Sequence, residues 1–146
     1  YDPPGINDLE RIIAKSGLAR EEIIHIHETT NYRVYAIGFA PGFAFLGDVD
    51  PRIAVPRLST PRKAVPKGAL GIADQQTAIY PDNSPGGWNI IGKTPIDFFN
   101  ADKENPCFAK AGDEIKFRSI SKEEFYQIEN DITVNVFKIH KTLKYD

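Results

Sequence analysis

Between residues 69 and 91 the chain reads Ala69-Leu-Gly-Ile-Ala73, then Thr77-Ala-Ile-Tyr80, then Ser84-Pro-Gly-Gly-Trp88 and on to Ile91. Short runs of β-branched and aromatic residues alternate here with Pro and Gly, which is an all-β pattern. Upstream, Arg33 to Ile37 has the same character, and downstream Glu114 to Arg118 reads as a further strand. Prolines at 41, 51, 56, 61, 66, 81, 85 and 95 cannot donate to a ladder, so they mark turns, strand edges and long shaped loops.

Before residue 30 the chain reads differently. Asn7 to Glu10 has the spacing of a capping box, Leu9, Ile12 and Ile13 follow on one face, and Gly17 supplies a left-handed stop. A second helix runs from Ala19, with acids in its first turn and Ile23, Ile24 and His27 behind them. Near the other end Ser121 and Glu124 form a second capping box before Phe125, Tyr126 and Ile128, which predicts a closing helix. Ile132 to Ile139 reads as a last strand whose alternation Phe137 spoils, and the tail after His140 as frayed. There is no internal repeat or heptad, so the economical architecture is a small, partly closed β-barrel with flanking helices.

The 146 residues suffice for one core, and 18 Lys plus Arg against 20 Asp plus Glu leave a net charge of −2. That balance offers no footprint for nucleic acid or an anionic membrane. No apolar run approaches the about 20 residues needed to cross a bilayer. One cysteine, Cys107, and no apolar signal segment fit a reducing cytoplasm. The opening Tyr1-Asp-Pro-Pro-Gly5 and the absence of Met read as a linker entering a domain of a longer protein.

Gly87-Trp-Asn-Ile-Ile-Gly92-Lys93-Thr94 satisfies the Walker A expression letter for letter, but its context is inverted. A turn rather than a buried strand precedes it, its middle is bulky and strand-forming, and Pro95 disfavours the helix a phosphate loop would open. In Ser84 to Trp88 the two glycines fit a tight turn with Trp88 in the core, and equally a pocket in which Gly86 and Gly87 expose amides and Trp88 is a wall. Gly38 to Gly47 carries three Phe without helical or strand period. Leaving each in solvent costs roughly 1.5 to 3 kcal/mol, so packing is expected and partner contact is the alternative.

Pro56 to Lys63 holds Arg57 and Arg62 on a stiff loop, where two guanidiniums suit a carboxylate or phosphate, or pair with acids on a solvated face. His25 and His27 point to different sides of a helix end and His140 stands alone, so no metal site is predicted. Cys107 has no basic neighbour to activate it and is expected to be small, buried and inert.

Taken in order, Tyr35 to Gly47, Pro56 to Arg62, Gln76 to Pro81, Ser84 to Trp88 and Ile91 to Pro95 resemble the signature of the family of the 5-oxoprolinase B subunit, also labelled allophanate hydrolase subunit 1 or kinase-A inhibitor. The resemblance runs from Asp8-Leu-Glu through His27 to Ala111-Gly-Asp and the Phe117 to Phe125 segment. It implies a mainly β, cyclophilin-like β-barrel with two short N-terminal helices and a C-terminal helix. The implied organisation is a linker and helical lead-in over 1–30, the barrel domain over 31–130, and a C-terminal strand or tail over 131–146.

It implies too a cytoplasmic, ATP-dependent enzyme in which the B subunit works with a C subunit on 5-oxoproline while the A subunit opens the ring to glutamate, the domain alone being inactive. Arg57 and Arg62 are then the candidate catalytic clamp. Gln76, Tyr80, Gly86 and Gly87 become polar contacts, with Phe39 and Trp88 as apolar walls. The kinase-inhibitor branch implies instead a module that binds a sensor histidine kinase. Prolyl isomerase activity rests on fold analogy alone. Two departures bear on substrate: Asp74-Gln75-Gln76-Thr77-Ala78 stands where relatives usually carry glycines, and Lys93 where they often carry Arg.

Overall fold

The computed structural model describes residues 1–134. Helices α1, Leu9–Ser16, and α2, Arg20–Thr29, open the chain and bury Leu9, Ile12, Ile23, Ile26 and His27. Gly17 ends α1 at φ 73°, its amide donating to the Ile13 carbonyl, the left-handed cap expected of glycine. The start of α1 departs from the expected capping box. Asp8 takes the cap position, Asn7 accepts from the Leu9 amide at 3.1 Å, and the Glu10 carboxylate turns to Arg20. The cause is long-range: the Asp8 carboxylate is drawn away by Arg62 and the Ile90 amide, at 2.7 Å each.

Eight strands follow: β1 Tyr32–Ile37, β2 Ala44–Gly47, β3 Arg62–Val65, β4 Ala69–Ala73, β5 Gln76–Ile79, β6 Ser84–Gly86, β7 Asn89–Lys93 and β8 Glu114–Ile115, before helix α3, Lys122–Thr133. Six of them form an antiparallel sheet in the order β7-β4-β5-β2-β1-β8, and β3 pairs with β6 as a separate ribbon. The architecture is thus the mainly β, cyclophilin-like one. By pairing the sheet is open, with β7 and β8 as its edges, rather than closed into a barrel. The segment with the Walker A lettering is strand β7, as its residues require.

All five residues of β4 are buried, as are the last three of β5, so these central strands are covered on both faces. One face packs on α1 and α2 through Leu9, Ile12, Ile23 and Ile26 against Val34, Leu46, Ile72 and Ile91. A smaller cluster of Phe43, Val65, Ala69, Ala78, Tyr80, Trp88 and Ile90 lies elsewhere and underlies the site described below. The lead-in before α1 runs along the free edge of β7, where the Asp2 amide donates to Ile91 at 2.9 Å and the Asp8 amide to Ile90 at 2.6 Å.

Strand β8 ends at Ile115, short of the expected Arg118, because Phe117 is taken into an aromatic cluster with its ring 5.1 Å from His27 and 5.9 Å from Tyr32. At α3 half of the expected box forms: Ser121 accepts from the Glu124 amide at 3.1 Å, while the Glu124 carboxylate pairs with Arg118. Helix α3 continues to Thr133 and takes the first residues of the expected last strand. Val134 caps the helix, and the rest of that strand, from residue 135 on, lies outside the described residues. Cys107 is exposed rather than buried, because the polar segment of residues 100 to 106 carries it out to solvent.

His27 is fully buried, its Nδ1 2.7 Å from the Tyr1 hydroxyl and its Nε2 3.0 Å from Thr77 Oγ1. Thr77 spends its one proton on the Gly71 carbonyl, 2.8 Å away, so Nε2 carries the imidazole proton and Nδ1 accepts from Tyr1. Burial first, and then the nearby terminal amino group, lower the His27 pKa from 6.5 to about 3.

In the unfolded chain the imidazole takes up a proton as pH falls through 6.5, whereas in the fold it stays neutral, so the stabilisation is complete above 6.5 and is lost toward pH 3. Between pH 6.5 and 5 the expected loss is about 2 kcal/mol, at about 1.4 kcal/mol per unit. Urea midpoints across that range, for the parent and for His27→Asn, check it: the variant should lack this component, and equal slopes would refute the assignment.

Candidate functional site

Five of the eight predicted site residues meet around one shallow concavity of about 90 Å³: Phe39, Arg57, Tyr80, Gly86 and Trp88. The Phe43 and Phe45 rings and Pro85 complete its lining. Its floor is an aromatic stack, with Phe43 5.7 Å from both Trp88 and Tyr80 in edge-to-face contacts and 4.9 Å from Phe45. Such pairs add about 0.5 to 1.5 kcal/mol beyond the area they bury, so the floor is rigid. In the Gly38 to Gly47 segment the expected packing holds for Phe43 and Phe45 but not for Phe39. Phe43 is 1% exposed, whereas Phe39 stands 80% exposed at the rim with φ 69°, a left-handed conformation a bulky residue rarely takes.

Arg57 lies over this floor, its Cζ 5.2 Å from the Trp88 ring centroid. The loop that carries it is fastened by the Leu58 amide, which donates to the Gly87 carbonyl at 2.8 Å. Gly87 thus acts through its carbonyl, on protein. Among the described residues Arg57 has no ion-pair partner, and it is exposed. Its charge is available to a ligand.

Tyr80, 1% exposed, leaves β5 and brings its hydroxyl against Gly86. A Cβ on Gly86 would overlap that oxygen and come to 2.9 Å from ring atom Cζ, so glycine is demanded by this approach. The hydroxyl is buried without a partner in hydrogen-bonding geometry. Burial raises the Tyr80 pKa, opposed by the Trp88 amide and by the charges of Arg57 and Arg62.

The other three predicted residues do not line the concavity. Arg62 pairs with Gly86 through the backbone of the β3–β6 ribbon, but its guanidinium grips Asp8 with both Nη atoms at 2.7 Å. Gln76 sits between Ala73 and Gly47 in the sheet. Asp74 stands at φ 53°, since the β4–β5 connection needs a left-handed residue there, a conformation glycine adopts most readily. The turn is not part of the concavity. Lys93 lies 5.9 Å from the Phe125 ring, also outside it. Sequence reasoning missed Asp8 as the partner of Arg62; its place ahead of a helix suggested only a cap.

Among the described residues no group of three or more His, Cys, Asp or Glu is placed to hold a metal ion, and no helix is long and apolar enough to cross a membrane.

The chain is 45% identical over 119 residues to the 5-oxoprolinase B subunit of Bacillus subtilis, covering 82% of this chain and 50% of that protein. It is 36% identical over 117 residues to the 5-oxoprolinase B subunit of Escherichia coli O157:H7, with 80% and 54% covered. It thus spans about half the length of the curated relatives it matches. Among solved structures, a conserved uncharacterized protein of Pyrococcus horikoshii superposes with a TM-score of 0.81 at 46% identity, over 86% of this chain and 58% of that one. The urea amidolyase of K. lactis superposes at 0.80 with 22% identity over 92% of this chain and 9% of that one, a likeness of fold alone. Residues 1–109 match the family model described as carboxyltransferase domain, subdomain C and D, and on that match, which takes in the whole concavity, the chain belongs to the carboxyltransferase-domain family.

Proposed function

We propose that the chain is the C-terminal domain of the B subunit of an ATP-dependent 5-oxoprolinase, which works in the cytoplasm with a C subunit on 5-oxoproline while ring opening is completed by an A subunit. The observation that carries this reading is Arg57, unpaired among the described residues, laid over Trp88 at the mouth of an aromatic concavity, in a chain similar to proteins of that name. An amide carbonyl is a poor electrophile, and opening the ring requires that charge gathering on its oxygen be stabilised in a site shielded from water. Arg57 is the cation placed for such a role. Arg62, held by Asp8, becomes on this reading a positioning residue that fixes the ribbon bearing Gly86.

A concavity of about 90 Å³ with one unpaired guanidinium does not fit a nucleotide, whose phosphates call for several donors at once. On this reading ATP is therefore held mainly outside this chain. The test is 5-oxoproline-dependent ATP hydrolysis by the full-length protein assembled with its partners. Arg57→Ala is expected to lower kcat/KM about 100-fold, the scale of losing one charge-stabilising donor. Unchanged activity would remove Arg57 from the chemistry, and absence of activity in the parent would remove the enzyme reading.

One observation favours the second reading, a module that restrains a sensor histidine kinase. Phe39 is 80% and Tyr35 52% exposed, a presentation of aromatics suited to protein contact. Kinase autophosphorylation measured with and without the protein, and with Phe39→Ser, decides it.

A further inference from the structure

Arg57 sits between fastenings on either side. Ahead of it the Pro56 carbonyl accepts from Asn89 Nδ2 at 2.9 Å, and the Val55 carbonyl accepts from the Asp74 amide at 2.7 Å. Behind it the Leu58 amide donates to the Gly87 carbonyl at 2.8 Å. The stretch from Pro56 to Leu58 is thus held along Gly87 to Asn89, and Arg57 falls opposite Trp88, the ring its guanidinium covers. Of these three fastenings only the one from Asn89 uses a side chain. Backbone partners come with almost any residue, so the hold on Arg57 depends on residue type chiefly at position 89.

Asn89 is fully buried at the start of β7, and every polar group of its side chain is engaged. Besides Pro56, Nδ2 reaches the Ile72 carbonyl of β4 at 3.0 Å, and Oδ1 accepts from Arg11 Nε of α1 at 2.8 Å. Arg11 can only donate, so it turns Oδ1 toward α1 and both amide hydrogens toward carbonyls. An Asp here would set a carboxylate against two carbonyl oxygens, and an apolar residue would take this donor from both.

We propose that Asn89 is a positioning residue: through Pro56 it seats the loop that lays Arg57 over Trp88, and Arg11 holds Asn89 in the orientation this requires. The contacts run from α1 through the sheet to the mouth of the concavity, although neither Arg11 nor Asn89 lines it. An effect on turnover rests on the role proposed for Arg57 above; the seating of the loop does not.

Trp88 is the chain's one tryptophan and is 3% exposed with Arg57 over its ring, so its quenching by acrylamide reports whether the loop is seated. Asn89→Ala should raise that quenching clearly above the parent's. Arg11→Met, at an exposed position, should raise it less, and Arg11→Lys, which still donates, should stay near the parent. In the full-length protein assembled with its partners, Asn89→Ala should lower kcat/KM for 5-oxoproline-dependent ATP hydrolysis about tenfold, a loss of orientation rather than of the cation itself. In an Arg57→Ala background the same change should cost less than about twofold, because the residue it positions is gone. A residue that only stabilises the fold would cost the same in both backgrounds.

Unchanged Trp88 quenching in folded Asn89→Ala would overturn the proposal, and so would equal losses of kcat/KM with and without Arg57. If circular dichroism shows that Asn89→Ala has not folded, Arg11→Met decides, and quenching equal to the parent's would overturn the proposal there. Raised quenching in a protein whose Arg57→Ala variant keeps full activity, or whose parent has none, would leave the seating of the loop standing and remove only the role proposed for Arg57.

Discussion

Replacing Arg62 by Ala is expected to lower stability by about 3 kcal/mol before it touches any chemistry. The Asp8 carboxylate, 7% exposed, receives both Arg62 Nη atoms at 2.7 Å and the Ile90 amide at 2.7 Å. Without the guanidinium it remains buried with one amide for company, an uncompensated charge. The low end of the range for such losses applies, because the Arg62 side chain is 28% exposed and water can enter its place.

The melting temperature should fall by roughly 10 °C, at about 3 °C per kcal/mol for a domain of this size. Arg62→Lys should recover part of the loss, since a point charge replaces the fork. Combining Arg62→Ala with Asp8→Asn should cost less than the sum of the two, because no buried charge is then left alone. A melt within 2 °C of the parent would refute this account. The same result bears on enzymology: activity lost in Arg62→Ala does not identify a clamp unless the variant is first shown to be folded at the assay temperature.

Gly86→Ala is the second large effect expected. The new methyl group would overlap the Tyr80 hydroxyl, and the Tyr80 ring cannot retreat because it packs edge-to-face on Phe43 at 5.7 Å. The conflict falls on the backbone of β6, which is held in register by the pairing of Arg62 with Gly86. Overpacking of this kind costs about 1 to 3 kcal/mol, and the shift would reshape the concavity that Gly86 lines. Adding Tyr80→Phe removes the overlapping oxygen and should restore part of the stability. A single variant as stable as the parent would show that β6 has room that the present geometry denies.

The strands were legible where the residues around them agreed. Ala69 to Ala73 reads as a buried run and is β4, and Gly17 stops α1 for the reason glycine usually does. Errors came where a distant partner outbid a local one. Asn7 and Glu10 have the lettering of a capping box, but Asp8 is needed by Arg62, 54 positions away, and the helix start rearranges to supply it. Phe117 extends a strand by pattern yet leaves it to pack on His27. The concavity shows the same division. Its aromatic walls follow from residue type, whereas the separation of Arg57, free over Trp88, from Arg62, engaged with Asp8, is decided by which carboxylate the fold brings within reach, and spacing along a loop has no record of that.

The lead-in before α1 has one further consequence. Through Asp2 and Asp8 it occupies the outer carbonyls of Ile91 and Ile90, so β7 does not offer its edge to another molecule. Edge strands are the places where folded β proteins join into aggregates. Residues 1 to 8 therefore cover that border, and shortening the protein to begin at α1 is expected to uncover it while also removing the Asp8 that steadies Arg62. What looks like an unstructured preface is thus the finish of one border of the sheet.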